Sequence, residues 1–214
     1  MDQVLILGLG AQTKYVLEIF RRQQVVVTGI LSLPEQEAPG EIEGVPVLGA
    51  VADFAGIYAR VGRPPLIICC RDNAGKRVLV EQMTPLKPTY RTAVHPQAVV
   101  AGTAKIGAGS IVNPGAVIQP GAVVGEHVMV HAGVIVEHDC VVEDFVNLAP
   151  GAILAGHVQV GRGAYVYSGA VVLPARKVGR KAVIGAGAVI TQDVPDEATV
   201  VGVPGRVVRR EVVG

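Results

Sequence analysis

The sequence contains no tryptophan, and its three phenylalanines and five tyrosines make aromatic residues only 4% of the 214 residues. A hydrophobic core of this chain must therefore be built from aliphatic side chains. Hydrophobic residues are nevertheless 50% of the sequence, and glycine is frequent, with 27 residues. This composition favours many short strands that are separated by glycine turns.

An excess of charge of either sign is also missing, since the formal net charge is +1. No strong field is available to attract nucleic acid or an anionic membrane surface, so we expect neither among the partners. No apolar run reaches the roughly 18–20 residues that span a bilayer. The first ten residues, MDQVLILGLG, lack the basic and long apolar segments of a signal peptide.

Cysteine is scarce, with only Cys69, Cys70 and Cys140. An odd number without metal-ligand spacing argues against a disulfide framework and against a zinc cluster. Cys69 and Cys70 lie in the apolar segment LIICC, where cysteine behaves as a small buried hydrophobe. This usage predicts a reducing, cytoplasmic location.

A six-residue repeat begins at Val94 and continues through seventeen hexads without a change of register. The first residue of every hexad is Val, Ile or Leu, and the fifth is Ala, Ser, Cys or Val everywhere except at Arg176. A helix would repeat every 3.6 residues and an ordinary strand every two. We therefore predict one short strand and one turn per hexad, with three hexads forming a triangular coil and the stacked coils burying an aliphatic column.

At Arg176 the expectation is a local irregularity with an outward-pointing charge, and a contact with a ligand phosphate or a neighbouring subunit is the alternative.

The first ninety residues alternate between apolar and helical segments. Strands are expected at 3–7, 25–31, 45–49 and 65–70, helices at 11–23, 51–61 and 73–84, and a polar turn region at 33–44. This alternation predicts a small, mainly parallel, Rossmann-like α/β domain.

Gly8 and Gly10 follow the first predicted strand, at the sheet edge where α/β proteins bind nucleotides. A tight strand-to-helix turn is the alternative interpretation. NAD binding is not expected, because Thr13 replaces the third glycine of the dinucleotide fingerprint and Ser32 stands where an acidic residue would end the second strand.

An α/β unit followed by hexads resembles the sugar O- and N-acyltransferases of the sialic acid O-acetyltransferase type, which include bacillosamine and perosamine N-acetyltransferases. The most specific segments are VEHDC (136–140), LAPGAILAGHVQVG (148–161), IGAGAVITQDVP (184–195) and VVGVPGRVV (200–208). The resemblance implies a left-handed parallel β-helix, although parallel crossovers are normally right-handed. It divides the chain into a nucleotide-sugar-binding-like α/β domain (1–92), a β-helical acyltransferase domain (93–195) and a C-terminal tail (196–214).

The resemblance implies that the enzyme transfers an acetyl group from acetyl-CoA to an amine or hydroxyl of a nucleotide-linked sugar. His138 is then the general base and Asp139 the residue that orients it. The attacking amine or hydroxyl must lose a proton, which a histidine can accept at neutral pH, and a neighbouring carboxylate fixes the tautomer of the ring. Without the resemblance, a structural turn histidine is the preferred explanation of His138.

The resemblance also implies a homotrimer that holds acyl-CoA in the groove between adjacent β-helices. The residues expected at acetyl-CoA are Asn147, Gly156, Ser168, Ala186 and Arg206, with Arg209 as a second candidate for its phosphates. The residues expected at the sugar substrate are Gly8, Gly10, Gln12 and His131. The N–H of Gly156 is the candidate donor to the oxyanion.

Several positions depart from the family pattern. Gln12 and Asn147 stand where the family has histidine, His131 where it has asparagine, Ser32-Leu33 where it has aspartate, and Arg71 where it has glycine. We interpret these differences as altered acceptor specificity. Lost activity is the alternative, and it would leave a non-catalytic ligand-binding or assembly protein.

The remaining histidines carry less information. His95 is expected to be structural, and His127 and His157 are expected to be exposed at turns. A γ-type carbonic anhydrase would need zinc ligands from the set His127, His131, His138 and His157. Because the spacing of this set does not match such enzymes, no metal cofactor is expected.

Overall fold

The computed structural model describes residues 2–37, 39–70 and 72–210. The chain divides into two compact units, residues 1–93 and residues 94–214. Arg71, one of the departures from the family pattern, lies outside the described residues.

The first unit is a five-stranded sheet with strand order β3-β4-β2-β1-β5. Its strands are β1 (Gln3–Leu7), β2 (Val26–Ser32), β3 (Glu41–Ile42), β4 (Val45–Ala50) and β5 (Leu66–Ile68). Its helices are α1 (Ala11–Arg22), α2 (Phe54–Arg60) and α3 (Asn73–Met83), with short 3₁₀ turns at Val51–Asp53 and Thr84–Leu86. Strands β4, β2, β1 and β5 run parallel, so the predicted parallel α/β unit is confirmed.

The core of this unit follows from its sequence pattern. Residues 4–7 of β1 are all fully buried, as is typical of a parallel strand that is covered on both faces. Helix α1 buries Val16, Leu17, Ile19 and Phe20 on one side, at the spacing of an amphipathic helix.

Strand β3 lies in the segment that was predicted as a polar turn region. It pairs with β4 in an antiparallel hairpin. The two connecting residues, Glu43 and Gly44, both have positive φ values, of 49° and 82°, as the type I′ hairpin turn requires. The prediction missed this strand because only Ile42 is apolar in it.

The second unit is a left-handed parallel β-helix with two-residue strands at every sixth position. These strands are β6 (Ala93–Val94), β7 (Val99–Val100), β8 (Lys105–Ile106), β9 (Ile111–Val112), β10 (Val117–Ile118), β11 (Val123–Val124), β12 (Met129–Val130), β13 (Ile135–Val136), β14 (Val141–Val142), β15 (Asn147–Leu148), β16 (Ile153–Leu154), β17 (Gln159–Val160), β18 (Tyr165–Val166), β19 (Val171–Val172), β20 (Lys177–Val178), β21 (Val183–Ile184) and β22 (Val189–Ile190).

Each strand pairs with the strands 18 residues before and after it, as Val117 does with Ile135, so one coil contains three strands. The strands stack into three parallel faces. Face 1 contains β6, β9, β12, β15, β18 and β21, face 2 contains β7, β10, β13, β16, β19 and β22, and face 3 contains β8, β11, β14, β17 and β20.

The interior of the β-helix is the aliphatic column that the hexads predict. The second residue of each strand is the first residue of a hexad, and from Val112 to Ile190 none of these residues is more than 2% exposed. The small fifth residues, such as Ala152 and Ala170, are fully buried beside them. Each buried Val or Ile contributes about 1.5–3 kcal/mol, so the column stabilises a chain that has few aromatic residues.

The fourth residue of each hexad makes the turn between two faces. Eight of these seventeen residues are glycines with positive φ, and six residues with side chains adopt the same left-handed conformation, with φ between 52° and 61°. They are His127, Asp139, Phe145, His157, Ala175 and Lys181. Because side chains disfavour this conformation, these corners are where the chain accepts backbone strain.

At Arg176, where the hexad pattern breaks, the backbone keeps its regular pairing, because the Arg176 carbonyl oxygen accepts from the N–H of Gln159 at 3.0 Å. The Nε of Arg176 donates a hydrogen bond to the carbonyl oxygen of Pro174 at 3.3 Å. Its Nη1 lies 3.6 Å from Oδ1 of Asp193, so the guanidinium is paired within the chain.

The segment that follows the last hexad also forms strands. Strand β23 (Ala198–Val201) extends face 1 in parallel with β21, and β24 (Arg206–Arg210) returns antiparallel to it. Within the described ranges, no helix has both the length and the apolar character that crossing a membrane would need. All three cysteines are free thiols.

Candidate active site

His138 and Asp139 lie at the turn between β13 of face 2 and β14 of face 3. Both side chains project outward, with exposures of 52% and 54%. The Nδ1 atom of His138 is 2.9 Å from Oδ2 of Asp139. A carboxylate at Nδ1 stabilises the tautomer that carries its proton there, which leaves the lone pair on Nε2 to accept another proton.

Gly156 and His157 occupy the same positions one coil further along. The backbone N–H of His157 donates to the carbonyl oxygen of His138 at 3.0 Å. The His157 ring stands edge-on to the His138 ring, with centroids 5.0 Å apart and planes at 88°. Its Nε2 is 3.9 Å from Oδ2 of Asp139, so the carboxylate lies between two imidazoles.

His138, Asp139 and His157 are also the one metal-ligand cluster among the described residues, since three of their ligand atoms lie within 4.8 Å of one another. All three residues are exposed. The four-histidine set that a carbonic anhydrase would need is not assembled, because His127 and His131 are not part of this cluster.

The expectation that His127 is exposed is wrong, because its residue exposure is only 2%. It lies at the turn between face 3 and face 1, and Phe145 occupies the equivalent turn position one coil later. The two rings stack with centroids 5.2 Å apart, and the guanidinium of Arg162 lies over Phe145 at 5.1 Å. A hydrophobic ring 18 residues ahead therefore covers this histidine, whereas His157 is exposed as predicted.

In the first unit, Gly8 and Gly10 form the turn between β1 and α1. Their φ values are 109° and 135°, which L-amino acids with side chains rarely adopt. A Cβ atom on Gly8 would lie 2.3 Å from the carbonyl oxygen of Cys69. Glycine is therefore required at position 8 both by conformation and by space.

Gln36 holds this turn in place, and sequence reasoning did not identify it. Its Oε1 accepts hydrogen bonds from the N–H groups of Leu9 and Leu33 at 2.8 and 2.9 Å. Its Nε2 donates to the carbonyl oxygen of Leu9 at 2.6 Å. Gln12 is buried on α1, and its Oε1 has no hydrogen-bond partner among the described residues.

A buried lysine lies in the same unit. Lys76 of α3 is only 1% exposed, and burial lowers the pKa of its amine. Burial raises the pKa of the Cys69 thiol to about 12. Neither group is therefore an exposed nucleophile.

The residues predicted to bind acetyl-CoA do not form one cluster within the chain. Ser168 and Ala186 are exposed and lie one coil apart at the turns between face 1 and face 2. His138 and Gly156 lie at the opposite edge of face 2. Asn147 on face 1 is 1% exposed, and both polar atoms of its side chain lack partners among the described residues.

The outlying candidates occupy separate places as well. His131 follows β12 on face 1 and is half-buried. Arg206 begins β24 and is exposed, and its Nη1 donates to the carbonyl oxygen of Gly205 at 3.0 Å. The side chain of Arg209 lies outside the described part of the chain.

No model of a protein family matches the sequence, and no curated protein matches it. Solved structures do share its fold across both units. PerB from Caulobacter crescentus, in complex with CoA and GDP-perosamine, is 30% identical over 97% of each chain, with a TM-score of 0.90. The acetyltransferase domain of PglB from Neisseria gonorrhoeae, in complex with acetyl coenzyme A, is 30% identical over 97% of this chain and 99% of that chain, with a TM-score of 0.88.

WeeI from Acinetobacter baumannii is 25% identical over 97% of this chain and 100% of that chain, with a TM-score of 0.87. Two further structures of the Caulobacter crescentus enzyme, in complex with CoA and GDP-perosamine, carry a substitution of one histidine, by alanine and by asparagine.

Proposed function

The chain belongs to the family of hexapeptide-repeat sugar acyltransferases, and from this premise we propose that it transfers the acetyl group of acetyl-CoA to an amine of a nucleotide-linked sugar, with His138 as general base. Acetyl-CoA is the co-substrate. The observation that carries the assignment of the base is the exposed His138–Asp139 pair, with 2.9 Å between Nδ1 and Oδ2. An amine acceptor is favoured because the perosamine relative is an N-acetyltransferase.

The reaction needs one proton carrier and no covalent enzyme intermediate. The acceptor nitrogen attacks the thioester carbonyl while Nε2 of His138 takes its proton. The resulting oxyanion is stabilised by a backbone N–H, for which Gly156 on the next coil is the candidate. When the C–S bond breaks, the thiolate of CoA leaves and takes the proton from the imidazolium, which Asp139 has stabilised until then.

The nucleotide part of the acceptor is proposed to bind at the Gly8–Gly10 turn. The turn lies at the carboxyl end of β1, the sheet edge where α/β proteins bind nucleotides, and it leads into the N-terminus of α1, whose first backbone N–H groups can donate to phosphate oxygens. The amide Oε1 of Gln12, buried and without a partner in the described ranges, offers an acceptor to a ligand donor.

We also propose that the enzyme is a homotrimer. The outward-facing residues of face 2 are all β-branched aliphatics: Val99, Val117, Ile135, Ile153, Val171 and Val189. An aliphatic stripe of this kind is typical of a surface that packs against another copy. Its two edges carry His138 with Gly156 and Ser168 with Ala186, so packing of neighbouring copies would join the two groups into one acetyl-CoA groove.

Three free thiols support a cytoplasmic location.

The trimer is tested by a charge on this stripe. Ile153→Glu is expected to give particles near the 22.2 kDa mass of one chain, because the new carboxylate would be desolvated in the interface. Gln159→Glu on the exposed part of face 3 is the control and should retain the trimer. Light scattering after gel filtration measures both masses. A wild-type monomer would contradict the trimer, and an unchanged mass in the Ile153 variant would contradict an interface on face 2.

The proposed reaction is tested by measuring CoA release from acetyl-CoA in the presence of UDP-, GDP- and dTDP-linked amino sugars. We expect release that depends on one of these acceptors, with mass spectrometry showing an added acetyl group on its nitrogen. Acetylation of a hydroxyl would reassign the acceptor atom. Bound CoA with no turnover for any acceptor would instead favour the non-catalytic alternative.

A further inference from the structure

We infer that the Gly156–His157 turn positions the imidazole of His138 for the reaction, and that Gly156 is glycine because the ring occupies the space of its missing side chain. This inference rests on the proposed function and adds two positioning residues to it. It concerns the orientation of the base, and it is separate from the oxyanion role that the backbone N–H of Gly156 could also have.

The contact between Gly156 and the ring is closer than any side chain would allow. A Cβ atom at position 156 would lie 2.6 Å from Nε2 and 2.8 Å from Cε1 of His138. Real Cβ atoms essentially never approach other atoms below 3.0 Å. Any substitution at position 156 must therefore rotate or displace the imidazole, and Nε2 is the atom that would move first.

Backbone conformation does not explain this glycine. Gly156 does not have the positive φ that characterises the glycines at the fourth hexad position. The same turn position holds Pro120 and Pro174 in other coils, so ordinary negative φ values suit it. Gly102 also occupies it, and there a Cβ atom would meet nothing within 4 Å.

His157 lies one coil after Asp139 and restricts both the His138 ring and the Asp139 carboxylate. Its ring meets His138 edge-on, and its Nε2 approaches the same Asp139 oxygen that binds His138. The residue holds a left-handed φ of 61° at this turn. Edge-to-face ring pairs are favourable, so His157 restricts the rotation of His138 about its side-chain bonds.

The carboxylate of Asp139 also packs against a glycine of a neighbouring coil. Gly121 lies one coil before Asp139, and a Cβ atom on it would come within 2.4 Å of Oδ1 of that carboxylate. The base and its orienting acid are thus accommodated by a glycine on each neighbouring coil, at positions 121 and 156. Pairs of catalytic groups gain rate from this kind of fixed geometry.

The decisive variant is Gly156→Ala, with Gly102→Ala as its matched control at the same turn position. Because the alanine keeps its backbone N–H, the change isolates the displacement of the ring. We expect kcat to fall by about 10²-fold, the scale of a displacement of about 1 Å, while KM for acetyl-CoA changes less than about twofold. Gly102→Ala should leave kcat and the melting temperature unchanged.

A crystal structure of Gly156→Ala provides the direct readout and should show the His138 ring rotated away from its wild-type place. An unmoved ring would overturn the inference, as would a rise in KM for acetyl-CoA with kcat retained. If the wild-type enzyme releases no CoA, the proposed function fails, but the ring position in this variant still tests the inference by itself.

His157 supplies the second test, and it also decides the matter if Gly156→Ala does not fold. Ala175 adopts φ of 56° at the same turn one coil later, which shows that alanine is tolerated there. His157→Ala is expected to lower kcat by about two- to tenfold, the strength of one edge-to-face pair. His157→Phe keeps the ring contact and should recover most of that loss. Unchanged kcat in His157→Ala would overturn the positioning role of His157.

Discussion

Replacing His138 by alanine is expected to lower kcat by about 10²–10⁴-fold, the usual effect of removing a general base. The variant keeps Asp139 and the backbone of the corner but has no group at the place of Nε2 to accept the proton of the acceptor amine. The side chain is half exposed and contributes little to the core. The melting temperature and the dissociation constant of acetyl-CoA should therefore change little, which steady-state kinetics, a thermal melt and calorimetry would measure.

Asp139→Asn is the companion variant. Asparagine tolerates the left-handed φ of 57° at this corner but cannot stabilise an imidazolium, so its kcat should fall between that of wild type and that of His138→Ala. A His138→Ala enzyme with wild-type kcat would remove His138 from the mechanism. Loss of folding in that variant would instead show that His138 has the structural role.

Replacing Val142 by aspartate is expected to abolish stable folding of the β-helix. Val142 belongs to the aliphatic column and is 1% exposed, so the carboxylate would be buried without a partner. Burying an unpaired charge in the core lowers the free energy of unfolding by at least about 4 kcal/mol. This is a large part of the 5–15 kcal/mol that typically stabilises a domain. The expected result is loss of the cooperative transition in a thermal melt followed by circular dichroism.

The matched control is the neighbouring residue on the same strand. Val141 points outward from face 3 and is 40% exposed, so Val141→Asp leaves the new charge in water. Its effect should stay below about 1 kcal/mol, within the range of surface and strand-propensity effects. Similar destabilisation by the two variants would mean that the inward and outward positions of the hexad have been misassigned.

The hexad repeat predicts the β-helix so well because one periodic constraint applies to every coil. Each inward position, such as Val142 or Leu154, has the same environment as its equivalents 18 residues away. An inward side chain of the wrong size would leave a gap or a clash in the column, so every sixth residue of the repeat region is aliphatic. The left-handed sense has no such signature, and only the family resemblance supplied it.

The features that sequence reasoning missed are contacts between residues that no local pattern relates. Phe145 covers His127 by stacking on it from the next coil. Gln36 supports the Gly8–Gly10 turn from a different loop, through hydrogen bonds to Leu9. The 18-residue spacing could have revealed the first of these contacts, because residues 18 positions apart are neighbours on adjacent coils. The same spacing places Gly156 beside His138 and His157 beside Asp139. Side-chain geometry was needed to show that Gly156 makes room for the ring.

The most direct test of the mechanism is a crystal structure of the protein with CoA and the acceptor that the activity assay identifies. The proposed mechanism predicts the acceptor nitrogen at hydrogen-bond distance from Nε2 of His138, about 2.6–3.2 Å, with the CoA sulfur close enough to the same Nε2 to receive its proton. An acceptor whose nitrogen lies beside another side chain, out of reach of His138, would contradict it.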